Sequence, residues 1–263
     1  MARGKPRIDG CDAGDNRFVL RHNTAELKLG DENMTIILHE LVGADTSRPF
    51  SPHCWKTAMS LAHKGLPFER KQVCFTKVPE VEGGVSKTVP VIRDGSQVLS
   101  DSFLIAAYLD ETYPDKPSLF GGEGGQAMAR FVEAWSQSTL HAALNVIALQ
   151  EIHDGLAPED QAYFVPSREA RLGKTFAEVA ERRDAEIEGF SVKLTPLRVM
   201  LKSQPWIGGS SPLFADYIVF GALQWVRLVS TARLLEAGDP VTDWFERCLD
   251  LHDGLGRSAP AAG

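Results

Sequence analysis

The sequence predicts two dissimilar parts: a small α+β unit over residues 34–113 and an all-α unit over 124–257, joined by a linker at 114–123. Three observations predict this. Strand-like and helix-like stretches alternate as β-α-β and then β-β-α as far as Thr112. The run Tyr113-Pro114-Asp115-Lys116-Pro117 then breaks the chain with two prolines. Beyond it no convincing strand follows, and apolar residues recur at helical spacing instead.

Residues 1–33 are rich in Gly, Asp, Asn, Arg and Lys and lack the apolar core of an export signal. They are expected to be a dispensable extension without fixed structure, because Met34 stands directly before the first strand, Thr35–Leu41. A helix over 52–64 follows. Pro52 suits the first helical position, where its missing N–H would have had no partner. Ser51 is then the N-cap. Phe50 and Trp55 fall at the two places of a hydrophobic staple, which sets the angle of the entering chain. Gly65 ends the helix. Phe68–Phe75 alternates poorly and reads as an edge strand, and 76–88 as irregular. Val89–Arg93 and Gln97–Leu99 flank Asp94-Gly95, a hairpin signal. Ser102–Thr112 is a helix with Phe103, Ile105, Ala106 and Leu109 apolar.

In the second part, helical spacing covers 124–154, about 167–203, a stretch from Phe214 through Val226, and Val241–Leu251. Pro196 should start or kink a helix. Residues 258–263 read as a tail.

Composition narrows the function. Hydrophobic content of 43% with 24% charged residues is ordinary for a globular protein. No apolar run approaches the ~20 residues needed to cross a bilayer. A net charge of −7 and a pI near 5.5 argue against nucleic-acid and membrane partners, which call for a basic face. Cys11, Cys54, Cys74 and Cys248 are scattered without metal-ligand spacing, and the histidines do not cluster with them. That favours a reducing, cytoplasmic setting and no metal.

The β-α-β, β-β-α order is that of a thioredoxin-like domain. Such redox domains carry Cys-x-x-Cys where this chain reads Ser51-Pro52-His53-Cys54. A hydroxyl has taken the place of the exposed nucleophilic sulfur, so dithiol exchange is unavailable. Ser51 at the positive end of a helix can instead donate a hydrogen bond to a thiolate brought by a ligand; it can equally be a plain cap. Cys54 reads as a core thiol or, alternatively, a monothiol redox centre. Val89-Pro90 opens a strand and is expected to be cis in such a domain, which frees the Val89 N–H and C=O for a peptide ligand in strand-addition fashion. Ser100-Asp101-Ser102 precedes a helix: Ser102 suits a carboxylate and Asp101 an ammonium group, although both can serve as caps alone. A ligand with amine, carboxylate, peptide backbone and thiol fits all of these, and glutathione has all four.

From Met34 to Arg257 the sequence resembles a cytosolic-type glutathione transferase. Ser51 takes the place of that family's thiolate-activating residue, Val89-Pro90 matches its cis-proline element, and Asp101-Ser102 its γ-glutamyl site. The resemblance implies a glutathione-binding set of Val89, Pro90, Asp101, Ser102 and Lys87. It implies an electrophile pocket at Phe50, Phe131 and Trp135, although those two helix aromatics can equally be core. A homodimer is also implied. Within the family, several stretches are similar to the bacterial glutathione-dependent β-etherases and their fungal relatives. They include Ser51-Pro52-x-x-Trp55, Tyr108-Leu109-Asp110-Glu111, Trp206-x-Gly208-Gly209, Phe214-Ala215-Asp216-Tyr217 and Asp250-Leu251-x-Asp253-Gly254-Leu255-Gly256-Arg257. The resemblance therefore implies a glutathione transferase, with cleavage of β-aryl ethers as its finer form. A maleylacetoacetate-type isomerase or a non-catalytic ligand-binding protein are the alternatives. Two departures stand out. Leu213 occupies a position where the family has Ser, Thr or Asn, leaving the cap to Ser211 or to Asp216 alone. The etherase extension after Arg257 has no counterpart here, so one wall of the electrophile pocket is expected to differ.

Overall fold

A computed structural model describes residues 35–263. The extension expected over 1–33 lies outside the described residues. Strand β1 (Ile36–Leu41) runs into helix α1 (Pro52–His63), and β2 (Phe68–Val73) returns parallel to β1 in register Ile36–Phe68 through Leu41–Val73. β3 (Val91–Asp94) and β4 (Gln97–Ser100) form an antiparallel hairpin, and the sheet order is β2-β1-β3-β4. Gly95, at φ +58°, and Ser96 make the two-residue turn, one position later than the Asp94-Gly95 signal suggests. β2 is an edge strand, which its partly exposed side chains allow. Helix α2 (Ser102–Thr112) completes a thioredoxin-like unit.

The irregular segment expected over 76–88 is partly ordered: Phe75–Gly83 winds as short helical turns interrupted at Val81 and Glu82. Buried Asp160 from the helical part caps it, its carboxylate accepting from the N–H groups of Phe75 (3.1 Å) and Thr76 (2.9 Å). β3 begins at Val91 rather than at Val89, which leaves Val89 outside the ladder.

Helix α3 (Glu123–Trp135) continues through a π turn (Ser136–His141) into α4 (Ala142–Ile147) and α5 (Leu149–Asp154). Next come α6 (Pro158–Leu172), α7 (Phe176–Ala180), α8 (Arg183–Lys193) and α9 (Thr195–Met200), so the helical stretch expected from 167 starts nine residues earlier, at Pro158. Pro196 does stand in the first turn of α9. Buried α10 (Phe214–Val229) packs against α1, and α11 (Pro240–Gly254) closes the chain. The 114–123 segment is pinned rather than loose: Leu119 and Phe120 are buried, and the Phe214 N–H donates to Leu119 O at 2.7 Å. Residues 258–263 lie along α10, with Ala259 buried and its carbonyl accepting from Arg227 at 3.0 Å. The Asp250–Arg257 ending acts as a clasp. Arg257 holds Glu246 at 2.8 Å and Asp250, while Gly256 O accepts from buried Gln224 at 2.8 Å. Among the described residues no helix is long and apolar enough to cross a membrane, and no three His, Cys, Asp or Glu side chains gather to hold a metal ion.

Candidate functional site

A cavity of about 520 Å³ opens between the N-terminal end of α1 and helices α4 to α6. Ser51 lines it, only 5% exposed, in the extended conformation that lets it cap α1. Its hydroxyl oxygen accepts from the Cys54 N–H across a long 3.3 Å, while its carbonyl accepts from Trp55 N–H at 3.1 Å. The N–H of His53 has no partner among the described residues. A helix start so thinly satisfied retains donors and positive potential for an anion. The indole N–H of Trp55 fixes the incoming chain by donating to Pro49 O at 2.7 Å. The Phe50 ring, expected to staple against Trp55, lines the cavity and lies 6.2 Å from the ring of Phe75.

Cys54 points the other way. Its sulfur lies 3.9 Å from His39 O on β1, and burial pushes the thiol up to about 12. A thiol that stays protonated is a poor nucleophile, so the core reading of Cys54 holds over the redox one.

Beside Ser51, the rings of His53 and His141 stack with centroids 5.4 Å apart. Burial, followed by the nearby Lys56 ammonium, holds His53 well below the ordinary imidazole range and His141 at about 4. Both are therefore neutral at physiological pH. Lys56 is fully buried under this end of α1 and donates to both carboxylate oxygens of Glu133 on α3, at 2.7 and 2.8 Å.

Lys87 and Val89 line the cavity, and the Val89-Pro90 bond is cis. Val89 makes no backbone hydrogen bond among the described residues. Asp101 has φ +73° and spends one oxygen on capping α2, accepting from Phe103 N–H (2.8 Å) and Leu104 N–H (3.0 Å); Ser102 beside it is buried. These two stand apart from the residues lining the cavity. Phe131 and Trp135, expected as pocket walls, do not line it either: Phe131 is 70% exposed and Trp135 packs partly buried against the core.

Two family models match this chain: the N-terminal domain of glutathione S-transferase over residues 50–112 and the C-terminal domain over residues 127–251. The chain belongs to the glutathione S-transferase family. Its architecture is that of the family, a thioredoxin-like unit with a mixed four-stranded sheet followed by a helical one. The glutathione S-transferase-like protein ustS of Aspergillus flavus is 28% identical over 210 residues, covering 68% of this chain and 75% of that protein. Two glutathione S-transferases of Ceriporiopsis subvermispora, both solved in complex with glutathione, share the fold. One has a TM-score of 0.71 at 21% identity, covering 84% of this chain and 98% of that one. The other has 0.69 at 25%, covering 84% and 97%.

In this transferase-family chain, the residues missed by sequence reasoning sit on α6 and at the α3–α4 junction. Tyr163, Phe164, Arg168 and Arg171 line the cavity from α6, and His141 and Trp225 from below. A signal for α6 was present. Pro158 followed by Glu159 and Asp160 is a helix start, but only Asp160 and Phe164 of that helix are buried, so its apolar periodicity is weak.

Proposed function

We propose that the protein is a glutathione transferase in which Ser51 stabilises the glutathione thiolate for attack on an electrophilic carbon. The observation that carries this is the thinly satisfied start of α1 facing a cavity, with Ser51 Oγ holding only the 3.3 Å contact and the His53 N–H unpartnered among the described residues. A charge-assisted hydrogen bond contributes about 1.5–3 kcal/mol, enough to lower a thiol by one to two pKa units. No general base is required, since the thiolate forms on binding and its proton passes to water. Val89, with Pro90 behind it, would pair with the peptide backbone of glutathione. Lys87 would face a carboxylate of the tripeptide, and Asp101 with Ser102 its γ-glutamyl end. The two relatives solved with glutathione support the choice of thiol.

The finer reading is cleavage of β-aryl ethers. A carbonyl next to the ether-bearing carbon activates that carbon, and phenolate leaves with little proton help. A cavity with Phe50, Phe75, Tyr163 and Phe164 on its walls and no acid at Ser51 suits that chemistry. The family resemblance further implies a homodimer, for which exposed Leu104, Met128 and Phe131 offer an apolar face, and solution mass tests it. The deciding experiment incubates the protein and glutathione with a β-aryl-ether ketone, a chloronitrobenzene and an isomerisable diketo acid. Released phenol with the glutathione thioether supports the etherase reading. Conjugation of the chloronitrobenzene alone leaves the transferase and removes the etherase. Binding of glutathione with no turnover of any acceptor makes the chain a binding protein on this fold.

A further inference from the structure

We propose that the acceptor this site takes is an aromatic anion, its carboxylate received by Arg168 and Arg171 on the cavity wall formed by α6. This rests on the transferase reading and names the substrate class of the same site.

Arginines elsewhere divide: among the described residues Arg130, Arg227, Arg233 and Arg247 hold no carboxylate, but none of them lines this cavity. Arg70, Arg183 and Arg198 each hold a carboxylate, at 2.7, 2.9 and 2.6 Å. Arg168 and Arg171 have no carboxylate partner among the described residues, although the chain has 35 acidic residues to 28 Lys and Arg. Arg168 donates only to Ser167 Oγ at 3.1 Å, and Arg171 to Asn145 Oδ1 at 2.7 Å. One helical turn apart on one face, they repel one another. Burial, with Arg171 adding to it, brings the Arg168 guanidinium down to about 10. Arg171 is exposed to solvent and Arg168 only half-buried, so the cost of a missing counterion falls on Arg168, and an anion there relieves both its burial and its repulsion from Arg171.

The surroundings specify the rest of the ligand. The Arg168 guanidinium carbon lies 4.3 Å from the Phe164 ring centroid and 5.1 Å from that of Phe75, so two aromatic rings flank its position. A guanidinium, unlike an ammonium, carries a planar fork of N–H donors that can bind a carboxylate bidentately. Phe50, Phe75 and Tyr163 line the same cavity, an apolar wall for a flat ring. Lys87 and Val89, by contrast, approach from the sheet side. This division places the tripeptide on the sheet and the acceptor's charge on α6.

The test compares two compounds with one ring, 4-chloro-3-nitrobenzoate and its methyl ester. In each, the glutathione sulfur forms a bond to the ring carbon, the carbon–chlorine bond breaks with its electron pair leaving as chloride, and the thiol proton goes to solvent. Each kcat/KM is divided by the uncatalysed rate with glutathione, because the ester activates the ring more than the carboxylate does. On that scale we expect the intact protein to prefer the acid and Arg168→Gln to cut the acid-to-ester ratio by about 10- to 100-fold. Arg168→Lys should restore part of it. A ratio that does not move, or a rise in the glutathione KM in place of the change in ratio, overturns the proposal; conjugation of the ester shows that each variant is folded. If the intact protein conjugates neither compound, the transferase reading fails separately. Calorimetric binding of the acid over the ester, lost in Arg168→Gln, then still decides the carboxylate site.

Discussion

Helices α1 and α10 pack against one another, and their N-termini are treated in opposite ways. At α10 the fully buried Asp216 collects four donors: the N–H groups of Ile207 (2.8 Å), Gly208 (2.9 Å) and Leu213 (3.0 Å) and the indole N–H of Trp244 (3.0 Å). Burial raises its pKa and those donors oppose that rise. At α1 Ser51 offers one neutral oxygen at 3.3 Å, over a cavity. A saturated start is structural, since nothing remains for a ligand; an open one facing a cavity is a place for an anion. The two are physically linked. A Cβ on Gly221 of α10 would stand 2.4 Å from the Pro52 carbonyl oxygen, so the saturated helix sets where the first turn of the open one lies.

Breaking the saturated end should have the largest effect. Asp216→Ala leaves four donors without an acceptor, the Trp244 indole buried and the three backbone N–H groups partly buried, and each unsatisfied group costs roughly 1–3 kcal/mol. We expect a loss of ~4 kcal/mol or more in urea unfolding. A loss below about 1 kcal/mol would show that water or a neighbour replaces the carboxylate and would sink the comparison. Breaking the open end should cost only about 1 kcal/mol of capping and fall mainly on chemistry. Ser51→Ala should cut kcat/KM by roughly 10- to 100-fold and move the midpoint of its pH profile upward, because the donor that favours the thiolate is gone and more alkaline solution is needed to form it. Glutathione affinity for the thiol form should hardly change. An unshifted profile would mean that Ser51 is only a cap. Gly221→Ala sharpens the link between the two ends: relieving the clash displaces either helix, at about 1–3 kcal/mol. We expect turnover to fall along with the melting temperature. A variant that melts lower with unaltered kcat would uncouple the two helices.

Much of this was legible locally. Ser51-Pro52, Gly65 and the Asp94-Gly95 region are signals read within a few residues, and α1, α2 and α10 came out close to their observed bounds. The cap at Asp216 was legible as one of two options, and its four donors decide for Asp216 over Ser211. What failed depends on the tertiary frame. Phe131 has helical spacing, but α3 buries Ala129 and Val132 and leaves Met128 and Phe131 outside. The π turn at Ser136–His141 then adds a residue per turn, so faces before and after it do not align. Arg168 and Arg171 read as surface charges in a weakly periodic helix, and only the fold brings them to the cavity. The same holds for His141, which sequence spacing does not connect to His53, although their rings stack.

The smallest expected effect concerns Cys54, the neighbour that would make this end of α1 a redox site. Its sulfur sits in the third helical position, buried, turned to β1 and away from the cavity that Ser51 lines. Burial raises its pKa to about 12, with the Ser51 contact opposing and the Glu40 charge adding to the rise, so thiolate is negligible at neutral pH. Cys54→Ala removes one heavy atom from a packed core and should cost about 1 kcal/mol, the scale of a small truncation. Turnover with glutathione should stay within about twofold, a change of under 0.5 kcal/mol in the barrier. Alkylation of the intact protein with iodoacetamide under native conditions should leave Cys54 unlabelled by mass spectrometry. Loss of activity in Cys54→Ala with activity retained in Ser51→Ala would reverse the assignment and make the chemistry that of a monothiol.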